Sequence, residues 1–81
     1  MILNEEDAEY IEKAYNIINK SYFPNSNKVT DVYNRVFADR ENFRKLNYTT
    51  CGTCIRDRVL ELKKYKDIWQ DQKEAHKEKT F

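Results

Sequence analysis

Cys51 and Cys54 are the residues best placed by type and spacing to do chemistry, for they bracket the only glycine of the chain within TTCGTCIRDRVLEL, residues 49–62. Thiols at this spacing suit three roles: half of a zinc site, a redox pair, or two small apolar side chains on one helical face. Structural zinc takes four ligands, usually two such pairs or one pair with two histidines. There is no second pair, and the only histidine, His76, stands about 22 residues beyond Cys54, roughly 33 Å along a continuous helix. Metal binding at Cys51 and Cys54 would therefore require a symmetric dimer pooling two pairs. Redox chemistry would use the helix dipole to stabilise a thiolate. Dithiol sites of that kind usually follow a β-strand, however, and the preceding RKLNYTT has no strand pattern.

Packing is the reading that the spacing favours. On a helix the two side chains point the same way, toward the face of Ile55 and Val59, and free cysteine packs well as a small buried apolar residue. The expectation is two reduced, unligated and largely buried cysteines, without an internal disulfide. Nothing else in the chain forms a catalytic pattern: no serine or cysteine has a histidine partner in sight, no glycine-rich phosphate loop exists, and the carboxylates are spread as on solvated helix faces. A non-enzymatic protein without a cofactor is expected.

The elements that must position these residues read as helices. One glycine and one proline leave almost none of the punctuation that hairpins need, and apolar residues recur at helical spacing. Ile11, Ala14, Tyr15, Ile18 and Tyr22 make one stripe, with Tyr10 and Ile17 beside it. Asn4 is its cap, and Glu5, Glu6 and Asp7 suit the positive end of its dipole. The segment Phe23-Pro24-Asn25-Ser26-Asn27 stops it. A second stripe, Val29, Val32, Tyr33, Val36 and Phe37, fits a helix capped near Ser26 or Asn27. From Asp39 to Tyr48 the pattern weakens; Phe43 and Leu46 could extend the helix, form a turn of their own, or pin a loop to the core. A third stripe holds Cys51, Cys54, Ile55, Val59, Leu62, Tyr65 and Trp69, capped at Thr49 or Thr50.

These elements predict an all-α fold: a small three-helix bundle with a long C-terminal helix, a single helical domain over 1–70, and a polar tail over 71–81 that frays or orders only on a partner. Eighty-one residues are near the size at which one core only just suffices. Two cysteines without an apolar signal-like N-terminus point to a reducing, cytoplasmic setting, and no apolar run approaches the roughly 20 residues of a membrane helix.

Fifteen basic against 14 acidic residues argue against a dedicated polyanion binder. A local basic strip on the third helix, Arg56, Arg58 and Lys63 with Lys64 and Lys66, still defines a nucleic-acid alternative. Asp57, Glu61, Asp67 and Asp71 on the same helix oppose it. The favoured function is protein–protein interaction or self-association, because 6 Tyr, 4 Phe and 1 Trp are a surplus of types enriched at interface centres. Tyr15, Tyr33 and Phe37 lie on the stripes and should fill the core; Tyr10, Leu60 and Trp69, at stripe edges or near a helix end, are the interface candidates.

VYNRV (Val32 to Val36) followed by CGTCIRDRVLEL (Cys51 to Leu62) resembles a pattern in small, functionally uncharacterised proteins of tailed bacteriophages infecting gut bacteria. It covers about the middle third of the chain. The resemblance implies a phage context, a component of a virion or a DNA-packaging assembly, located in the host cytoplasm or the particle. It brings no activity with it.

Overall fold

A computed structural model describes residues 2–20, 22 and 24–78, with side chains as far as Lys73. It forms the expected small all-α bundle: α1 (Glu5–Asn19), α2 (Ser26–Val36) and α3 (Gly52–Glu78). Asn4 caps α1 as its sequence predicts, its Oδ1 accepting the Asp7 N–H at 2.8 Å, with Glu5, Glu6 and Asp7 in the first turn. The predicted stripe ends early. The helix stops at Asn19, and Tyr22, beyond it, is 70% exposed, while Phe23 lies outside the described residues. Asn25 caps α2, one residue before the predicted position, by accepting the Lys28 N–H at 3.1 Å.

Side-chain partners give the directions of the helices. Asp7 of α1 pairs with Arg35 of α2, and Lys28 lies over the Tyr10 ring, so α1 and α2 are antiparallel. Glu12 reaches Lys63 and Lys66 and Glu5 reaches Lys73, so α1 and α3 are antiparallel too. Consequently α2 and α3 run parallel, with Thr30 beside Arg58 and Tyr33 beside Glu61. Parallel neighbours require a crossover from one end of the bundle to the other, and residues 37–51 make it. Its first part turns through Asn42, whose φ of 60° asparagine tolerates better than most side chains.

The crossover is held down rather than free. Phe43 and Leu46 pack on the core. Buried Asn34 pairs with the Leu46 backbone in both directions, donating from Nδ2 to its carbonyl at 3.0 Å and accepting its N–H at 2.8 Å. Of the three fates open to this segment, a loop pinned to the core is the one adopted.

Two buried clusters make up the core. Ile11, Val32, Tyr33, Val36, Phe37 and Leu62 form one; Ala14, Ile18, Val29, Ile55 and Val59 form the other. Tyr10 packs against both. Phe37 is 2% exposed and meets Tyr33 and Tyr65 edge-on, with ring centroids 4.6 and 5.2 Å away. Burial of one such side chain contributes about 1.5–3 kcal/mol. Beyond the core, the backbone of α3 stays helical past Trp69 as far as Glu78, so residue 70 does not mark a helix end. Residues 79–81 of the polar segment, and the His76 side chain, lie outside what is described.

Candidate functional site

The start of α3 corrects the packing expectation for the cysteines. The helix begins at Gly52, which leaves Cys51 outside it, with its carbonyl accepting the first helical N–H, that of Ile55, at 3.0 Å. Cys51 is therefore the cap residue. Its sulfur takes the place usually held by an Asn, Asp or Ser oxygen, accepting the Cys54 N–H at 3.3 Å. Cys51 is exposed and Cys54 only half-buried. The buried face of α3 starts at Ile55. Thr49, one of the two predicted caps, instead accepts the Cys51 N–H through Oγ1 at 3.1 Å.

This geometry makes the thiols unequal. Cys51 is held below the ordinary cysteine range, first by a hydrogen bond from the Cys54 thiol and then by the backbone N–H groups of Cys54 and Thr53. Cys54 is pushed up, chiefly by that same thiol–thiol contact. Among the described residues, no group of three or more His, Cys, Asp or Glu side chains comes together to hold a metal ion.

The proposed basic strip is divided. Arg58 turns inward along the bundle, its Nη1 donating to Thr30 Oγ1 at 2.6 Å and to the Asn47 carbonyl at 3.1 Å. Thr30 is wholly buried, so Arg58 ties α3, α2 and the crossover together. Lys63 is 2.6 Å from Glu12 and 3.0 Å from Asp67, and these partners raise its pKa, Glu12 foremost. Buried Lys66 shares the same Glu12 oxygen at 3.1 Å, which meets the need of a buried ammonium for a counter-charge. Glu12 is correspondingly held below the usual carboxylate range, through its hydrogen bonds to Lys63 and then Lys66. Of the three residues singled out for nucleic acid, Arg56 is the exposed one.

The interface candidates also separate. Tyr10 is half-buried between the two core clusters and is largely a packing residue; its hydroxyl is buried without a hydrogen-bond partner, and desolvation raises its pKa. Trp69 is half-buried in an open groove between α1 and α3 that Glu5, Glu9 and Glu12 line with it, and Lys73 sits 4.9 Å above its ring. Leu60 is exposed, as is Ile68 two turns further on. Periodicity carried a signal for Ile68, which falls off the buried stripe together with Leu60. No helix among the described residues is long and apolar enough to cross a membrane. Comparison with known proteins finds no matching family model, no matching curated protein and no matching solved structure.

Proposed function

We propose that the chain is a non-catalytic helical module that docks on another protein, or on a second copy of itself, through the outer face of α3. The observation that carries this is the exposure of Leu60 and Ile68, 39% and 41%, on the side of α3 away from Ile55, Val59 and Leu62. They are separated by about 12 Å along the helix, and Lys64 between them offers an aliphatic stem to the same strip. Arg56, Asp57, Asp67 and Asp71, all exposed, border the strip with both signs of charge. Such a border complements a mixed-charge protein surface better than a phosphate backbone. A standard interface takes about 800 Å² from each partner, and the described side chains of α3, residues 52–73, extend over about 33 Å and offer part of that. The phage-like pattern in Val32–Val36 and Cys51–Leu62 supplies the setting we favour, a component docked on a virion or packaging assembly.

Photo-crosslinking in the cells that express the chain tests the proposal. A crosslinking side chain at position 60 or 68 is expected to yield discrete protein adducts, a covalent dimer among them if the module self-associates. The same group at Asn16, exposed on α1, should yield none. Absence of adducts from 60 and 68, or equal labelling from 16, refutes the proposal. Nuclease-sensitive adducts would replace it with the nucleic-acid alternative.

A further inference from the structure

The interaction surface leaves Cys51 and Cys54 unused, and their arrangement is more specific than two surface thiols. Cys51 stands exposed at the cap of α3, with its sulfur folded back over the first turn onto the Cys54 N–H at 3.3 Å. That contact ties the two cysteines together within a single helical turn, the sulfur of one resting on the backbone of the other. An independent feature adjoins the pair. An open cleft of about 400 Å³ is lined by Ser26, Asn27, Tyr48, Thr49 and Thr50, the last two immediately preceding Cys51 in the chain. Hydroxyls and an amide line it, the Tyr48 hydroxyl donating to Asp31 at 2.7 Å and Thr49 Oγ1 accepting the Cys51 N–H, a polar lining that suits a peptide-like thiol compound.

We propose that Cys51 and Cys54 are a redox-active dithiol that exchanges with low-molecular-weight disulfides of the glutathione type held at this cleft, closing a reversible Cys51–Cys54 bond. Cys51 is the attacking sulfur, because it is the exposed one and its thiolate receives the hydrogen bonds at the helix start. Asp57 opposes that thiolate, and Arg58 acts on Cys54 in the opposite sense. In the first step the Cys51 thiolate bonds to one sulfur of the small disulfide, whose S–S bond breaks, and the released thiolate takes a proton from solvent. In the second, Cys54 gives its proton to solvent and attacks Cys51 Sγ, expelling the other half of the disulfide as a thiolate that is protonated in turn. The protein dithiol loses two electrons, the small disulfide gains them, and two free thiols leave. Because Cys51 lies outside the helix, its sulfur is free of the rigid helical placement that would disfavour such a bond.

Oxidised glutathione is the probe. Reduced full-length protein, incubated with graded ratios of oxidised to reduced glutathione, quenched by alkylation and weighed, should convert to a species lighter by two hydrogens and resistant to alkylation, and reduced glutathione should restore it. Cys54→Ser should instead accumulate a glutathione adduct on Cys51. In brief alkylation of the reduced wild type, Cys51 should react about tenfold faster than Cys54, following its greater exposure and thiolate fraction. Accumulation of a stable glutathione adduct by the wild type, failure to close the bond at any ratio, or equal alkylation of both thiols overturns the proposal. The wild-type measurements decide the matter even if Cys54→Ser folds poorly.

Discussion

Replacing Arg58 by alanine separates a strut from a nucleic-acid contact. The side chain donates to buried Thr30 Oγ1 at 2.6 Å and to the Asn47 carbonyl at 3.1 Å, and a hydrogen bond from a charged donor contributes about 1.5–3 kcal/mol. The two bonds share one nitrogen, the Thr30 hydroxyl keeps its own bond to the Ser26 carbonyl, and water can reach the Asn47 carbonyl. These offsets bring the expected loss to about 2 kcal/mol. For a domain of this size that lowers the melting temperature by roughly 10 °C. Arg56→Ala, at an exposed site two residues away, should change stability by no more than about 0.5 kcal/mol. Thermal unfolding followed by circular dichroism, with both variants measured side by side, checks this. Equal melting temperatures for the two variants would refute the strut, and a salt-sensitive loss of oligonucleotide binding by Arg58→Ala at unchanged stability would install the phosphate contact in its place.

Asn34→Ala removes both hydrogen bonds to Leu46 and should cost about 2 kcal/mol; in hydrogen exchange the Leu46 amide should lose protection before the amides of α1 do. Glu12 titrates below its ordinary value because of Lys63 and Lys66, so its ion pairs stabilise the fold above the unfolded-state pKa, near 4.5, and that stabilisation is lost as pH falls through the lower folded value. Because Glu12 is 42% exposed, screening limits the effect to no more than about 1 kcal/mol. Denaturation midpoints of the wild type and Glu12→Gln, measured from neutral pH down to pH 3 or so, should converge at the acid end.

The three helices were legible because each has one continuous apolar stripe: Ile11, Ala14 and Ile18, then Val29, Val32 and Val36, then Ile55, Val59 and Leu62, all of them buried. The cap at Asn4 was legible too. What failed was the extension of periodicity across a helix start. Cys51 and Cys54 fit the spacing of the third stripe, but spacing constrains side-chain direction only inside the helix, and Cys51 is not inside it. The roles of Arg58 and Asn34 were hidden for another reason. Their partners, Asn47 and Leu46, lie in the crossover, where the sequence has no period, so which polar side chain would fasten it could not be read. Burial of Lys66 was masked by its charge, which Glu12 compensates from a different helix. The exposure of Leu60 was legible from its place at the stripe edge, whereas that of Ile68 was not drawn from the pattern.

The parallel pairing of α2 and α3 also governs when the chain can fold. Asp7–Arg35, Thr30–Arg58 and Tyr33–Glu61 each join residues 28 apart, and the pairs Glu12–Lys63 and Glu12–Lys66 are 51 and 54 apart. Such separations are long for a helical protein of this length and slow the search for the native pairing relative to an up-down bundle with tight turns. Both core clusters include α3 residues, Leu62 in one and Ile55 and Val59 in the other. During synthesis at about 5–20 residues per second, α1 and α2 therefore spend several seconds with the α3-facing part of their apolar stripes uncovered. Neither core cluster can be completed until α3 has been made, so folding is a late event in the synthesis of this chain.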